Sequence, residues 1–150
     1  MKSAATQSWE GYGVYVVREP QLPFPKPAIS SPGDVHGLLQ RQLAFQDREI
    51  FAIVILDSRH QVLGVNTVSI GSLNASIVHP RECFKPAILM GASSIILAHC
   101  HPSGDPSPSK DDIDLTKRLH QAGEILGIEV LDHIIIADNQ FLSLKEQGLM

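Results

Sequence analysis

The sequence predicts an α/β domain of the layered α+β kind, in which a central mixed sheet is flanked by helices. Three observations carry that expectation. Short apolar runs such as Ile50–Leu56 are too brief for helices and read as strands buried on both faces. Between them lie stretches whose apolar residues recur three and four apart, the spacing of one helix face. The two kinds of segment alternate along the chain, which builds a sheet covered by helices. Composition permits such a core: 43% hydrophobic and 19% charged residues describe a folded rather than a disordered chain. A chain of 150 residues buries about 70% of its unfolded surface without help from disulfides. Its two cysteines, Cys83 and Cys100, exclude a disulfide framework of the secreted kind.

Half of the ten prolines fall between Pro20 and Pro32. Fixed φ angles and missing donors make that stretch an extended linker. Residues 1–33 are therefore read as an N-terminal extension and 34–150 as the domain. The extension holds one short alternating segment, Gly11 to Val17, an edge strand or an arm through which a homo-oligomer could form. Asp34 is expected to cap a helix with Val35, Leu38, Leu39 and Leu43 inward. The strand Ile50–Leu56 follows, then a turn at Asp57–His60 and a Val- and Thr-rich strand from Gln61 to Ile70. His79 and Pro80 open a helix from Arg81 to Met90, stopped by Gly91 and kinked or shortened by Pro86. Ser94–Ala98 is another buried strand, Ser109–Leu126 a helix closed by Gly127, and Ile128–Ala137 a last strong strand. The tail from Gln140 gives no clear pattern.

Charge and hydropathy narrow the function classes. A net charge of −4 does not support a broad nucleic-acid surface. The first residues hold no apolar signal region, and Ile50–Leu56 is the longest apolar run, so the expected location is cytoplasmic and off the membrane.

One segment, HCHPSGDPSPSKDD over 99–112, stands apart. His99 and His101 sit two apart where a buried strand runs out, so both imidazoles point to one face. A metal ion is the ordinary reason for such convergence, and imidazole suits zinc. Asp112 is the candidate third ligand. It lies at the edge of a stripe formed by Leu115, Leu119, Ala122 and Leu126, where a carboxylate is costly unless a cation or donors meet it. The competing reading needs no metal: Ser109 and Asp112 make Ser-x-x-Asp, close to a capping box. Ser109 can also serve a site, because a helix N-terminus stabilises an oxyanion. Cys100 points away from its neighbours in an extended segment and is read as a packing residue rather than a ligand. His133, in a strand between Asp132 and Ile134, has a place near the site as its alternative but is read as structural, and His79 as a turn or cap residue.

The order His-x-His, seven residues, Ser, two residues, Asp resembles the JAMM signature of the JAB/MPN metallopeptidases. The wider string, with GSLNASIVHPRECFKPA upstream and GIEVLDHIII downstream, is similar to RadC-like JAB proteins in particular. The similarity covers about Ser31 to Met150. It implies a fold related in layout to the cytidine deaminase-like fold, one zinc ion per chain held by His99, His101 and Asp112, and a peptide or protein substrate. It also implies a glutamate on an early strand acting on metal-bound water. Glu49 matches in position, with Glu82 as the competitor on a helix expected to pack at the other side of the sheet. Two departures stand out. Asn usually separates the two histidines, where this chain has Cys100. Full-length relatives carry a helix-hairpin-helix region, for which this chain is too short, so a DNA-binding role tied to it is not expected.

The expected activity is thus metal-assisted hydrolysis of an amide or isopeptide bond, with Glu49 as general base and Ser109 beside the oxyanion. A zinc nucleobase deaminase needs H-x-E and P-C-x-x-C, and no C-x-x-C exists here. The rival from another class is a non-catalytic, metal-stabilised module associated with DNA repair or mobile-element functions.

Overall fold

The computed structural model describes residues 26–71 and 78–150. Gly11–Val17, most of the proline-rich stretch, and part of the segment before His79 lie outside the described residues. Helices α1 (Pro32–Leu43), α2 (Pro80–Leu89) and α3 (Lys110–Leu126) alternate with strands β1 (Ile50–Leu56), β2 (Val62–Ile70), β3 (Ser94–Cys100), β4 (Glu129–Ala137) and β5 (Gln140–Ser143). The strands form one mixed sheet in the order β2-β1-β3-β4-β5, with β3 and β4 parallel and the other neighbours antiparallel. The parallel pair needs a crossover, and α3 supplies it.

Alternation along β1 and β3 divides the core. Phe51, Ile53, Ile55, Ile95 and Leu97 face α2 and α3, meeting Phe84, Ala87, Leu115 and Leu119. Val54, Leu56, Ile96, Ala98 and Cys100 face α1, meeting Val35, Leu39 and Leu43. Helix α2 thus shares its sheet face with α3, which corrects the expectation that it packs on the other side. An amphipathic pattern states that a helix has a buried face but not which layer receives it.

The element ends also shift, each for a local reason. Ser31, not Asp34, caps α1: its hydroxyl accepts the Asp34 N–H, while the Asp34 carboxylate takes the N–H of Ser31 in return. The core reaches back to Ile29, whose N–H bonds the His60 carbonyl. Helix α2 runs on past Pro86 to Leu89, and Gly91 adopts φ 65° just beyond it. β3 continues through His99 and Cys100 because both side chains are buried with partners. Leu126 is 47% exposed and leaves the stripe, whose place is taken by Thr116 and Gly123. Gly127, at φ 69°, closes α3 in the left-handed conformation as expected. Among the described residues, no helix is long and apolar enough to cross a membrane.

Candidate metal centre

Three elements converge at the C-terminal end of β3. His99 occupies the next-to-last position of that strand and is fully buried. His101 follows directly, its N–H bonded to the Ile136 carbonyl at 2.9 Å, so the parallel alignment with β4 carries it one residue past the strand. Asp112 sits in the first turn of α3 and is buried. The capping box at Asp112 is present and does not turn the carboxylate away from the histidines. Its Oδ2 accepts the Ser109 N–H at 2.8 Å, its own N–H donates to Ser109 Oγ at 3.1 Å, and its carboxylate still faces the histidines.

The donor atoms form a small triangle. His99 Nε2 and His101 Nε2 are 2.9 Å apart. Asp112 Oδ1 lies 3.3 Å from His99 Nε2, and Oδ2 lies 3.3 Å from His101 Nε2. Ligands about 2.0–2.2 Å from a tetrahedral zinc ion stand about 3.3–3.5 Å from one another. Each histidine meets one carboxylate oxygen at that spacing, and the nitrogens need to part by only about 0.4 Å to reach it.

Hydrogen-bond logic assigns the tautomers. The Thr116 hydroxyl donates to the Asp112 carbonyl at 2.6 Å, so its oxygen is left to accept from His133 Nδ1. His133 Nε2 is then bare and accepts a hydrogen bond from the His99 Nδ1–H at 2.7 Å. That leaves His99 Nε2 with an exposed lone pair. His101 Nδ1 donates to the Asp105 carbonyl at 2.8 Å, which leaves its Nε2 bare as well. Two lone pairs and a carboxylate therefore point at one spot, an arrangement that calls for a cation. Either a proton or a metal ion meets that requirement. Hydrogen bonding to Asp112 is the leading reason the His101 pKa is raised. For Asp112, burial alone would push the carboxyl up; with protons rather than a metal ion on the facing imidazoles, hydrogen bonds from His101 and His99 and the Ser109 N–H outweigh it and hold the group well below the carboxylate range. Burial pushes the His133 pKa down, keeping that ring neutral.

The remaining sequence candidates fall into place around this triangle. Glu49 directly precedes β1. The last rung of the β1–β3 pairing sets Phe51 opposite His99, so Glu49 lies two residues beyond it, at the strand end where His101 also leaves the sheet. It is half-buried, and its charge contributes to raising the His101 pKa. Ser109 caps α3 at the rim, exposed to solvent. Glu82 is on the same sheet face through α2 but turns outward, paired with Lys85 and Arg81. Cys100 is buried on the opposite face, as extended backbone dictates. His133 is the residue the sequence undervalued: it is structural, yet it touches a site histidine directly. Thr116 was not singled out at all. The signal for both was a polar residue inside an apolar pattern, at His133 in β4 and at Thr116 one turn after Asp112.

The RadC-like JAB domain family matches residues 29–149. The UPF0758 protein of Desulfitobacterium hafniense is 54% identical over 128 residues, covering 85% of this chain and 56% of that protein. The UPF0758 protein of Desulforamulus reducens is 59% identical over 122 residues, covering 81% of this chain and 54% of its own. That of Alkaliphilus metalliredigens is 57% identical over 122 residues, with 81% and 53% covered. The chain spans about half the length of these curated relatives. Extending from Ile29 through β5, the match takes in every described strand and helix, and the chain belongs to the RadC-like JAB domain family.

Proposed function

We propose that the domain is a zinc-dependent hydrolase of an amide or isopeptide bond in a peptide or protein. The observation that carries this reading is the pair of bare imidazole nitrogens 2.9 Å apart, facing a buried carboxylate. His99, His101 and Asp112 would hold the ion. Zinc bound there would supply a water of lowered pKa and a Lewis acid for the substrate carbonyl. Glu49 is the carboxylate that would take a proton from the attacking water and pass it to the leaving nitrogen. Ser109 accepts the Asp112 N–H through its oxygen and keeps its own hydroxyl proton for the developing oxyanion. A purely structural zinc site is closed by four protein ligands, whereas among the described residues the cluster offers three. That count supports a hydrolytic role over the metal-stabilised module.

Elemental analysis of the purified chain tests the metal: one zinc per chain is expected, most of it lost in His101→Ala and in Asp112→Ala. Full occupancy in both variants would sink the ligand assignment. Glu49→Gln is expected to keep its zinc while losing at least about a hundredfold in turnover, the lower range for a general base. An unbiased proteome digest comparing the natural chain with Glu49→Gln identifies the cleaved bonds. Equal digests from the two would remove Glu49 from the mechanism.

A further inference from the structure

The pairing of β1 with β3 runs from Leu56 opposite Ser94 to Phe51 opposite His99. Beyond that rung the main-chain groups on either side of Glu49 meet a side chain instead. Cys100 Sγ accepts the Ile50 N–H at 3.3 Å, and the thiol donates to the Arg48 carbonyl at 3.4 Å. On the other side, the Glu49 carbonyl accepts the Gly71 N–H at 2.8 Å. The peptide carrying Glu49 is therefore gripped from both flanks, and the β3 flank is a single sulfur atom. Cys100 is 2% exposed, so the sulfur end of both contacts is shielded from bulk water.

We propose that Cys100 is a positioning residue for Glu49: its thiol fixes the main chain at Arg48 and Ile50 and so aims the Glu49 carboxylate across the sheet at the metal centre. This rests on the reading of Glu49 as the proton carrier. The geometry suits the task because Cys100 lies between the two histidines in sequence. One strand end thus presents His99 and His101 on one face and anchors the base from the other. A thiol is a weak donor and a weak acceptor, and an Asn side chain offers both functions more strongly.

The test uses the whole chain with zinc as the only probe, in the natural protein, Cys100→Ala and Cys100→Asn. Two nuclear magnetic resonance readouts are followed: amide exchange at Ile50, and the change in the Glu49 carboxyl carbon shift when zinc is added. In Cys100→Ala, Ile50 exchange should rise by about tenfold, the loss of one modest hydrogen bond. The zinc-induced Glu49 shift should fall by half or more while zinc still binds. Cys100→Asn should restore both, which filling the core alone would not do. An unchanged Glu49 response in Cys100→Ala overturns the proposal, as does exchange that rises equally along all of β1 and β3. Should Cys100→Ala not fold, Cys100→Val fills the volume without a donor or acceptor and takes its place. If zinc fails to load the natural chain, the metal reading falls separately, and Ile50 exchange in the metal-free variants still upholds or overturns the grip.

Discussion

His99 and His101 present the same nitrogen to the same point, yet they are held by opposite means. His99 is sealed in the sheet, and its far nitrogen is fixed by a line of side chains, His133 then Thr116, that ends on the carbonyl of Asp112. The line thus leaves one member of the triangle and returns to another. His101 stands at the mouth of a loop, its side chain 13% exposed, and its far nitrogen is fixed by the main-chain carbonyl of Asp105. A ligand oriented by side chains can be disarmed by distant substitutions. One oriented by backbone is protected from them, since every residue has a carbonyl.

The contrast is sharpest at Thr116. Replacing it by Val keeps the volume but strands the His133 Nδ1 proton. The ring then gains by turning its proton to Nε2, which puts a proton on His99 Nε2 and blocks the metal. Zinc affinity of Thr116→Val is expected to fall about 10- to 100-fold by isothermal titration. Its unfolding free energy should drop by about 1–3 kcal/mol from the unsatisfied buried group. Unchanged affinity would show that the side-chain line does not set the tautomer.

Acid should act mainly through His101. Its folded pKa is raised above the ordinary 6.5. In the metal-free chain, stability from its pairing with Asp112 is complete below about pH 6.5 and is lost as pH rises through the folded value. Zinc binding runs the other way, since the metal must displace that proton. Zinc affinity should therefore weaken on acidification already from above pH 6.5, and denaturant melts with and without zinc should diverge most on the alkaline side. The smallest effect is expected at Asp105. Asp105→Ala removes a carboxylate but leaves the carbonyl in place, so zinc affinity should stay within about twofold. A loss as large as that of Thr116→Val would erase the distinction between the two histidines.

How much of this was legible depends on how local the determinants are. β1 shows itself as an unbroken apolar run, and α3 by the Ser109–Asp112 box and Gly127, because each signal lies within a few residues of what it specifies. The triangle was legible too, since strand alternation and helix pitch place its three members. β3 was read two residues short because apolar counting stops at Ala98, while His99 and Cys100 are buried by virtue of partners elsewhere in the chain. His133 bonds a residue far back in sequence, and no local pattern encodes that contact. The layer occupied by α2 was missed for the same reason. Ser31 and Asp34 are both good cap residues in one box, and choosing the inner one moved the start of α1.

Asp112 does two jobs with one carboxylate, closing the first turn of α3 and facing the histidines. Fraying of that turn would withdraw a ligand, so an ion bound at the centre also clamps the helix start, and by reciprocity whatever tightens the helix start raises affinity for the ion. At a free zinc concentration of a hundred times its dissociation constant, the folded state gains about 2.7 kcal/mol. Part of that gain reaches α3, the crossover between β3 and β4. A metal bound there would act as a rivet on the one connection that the parallel pair cannot do without.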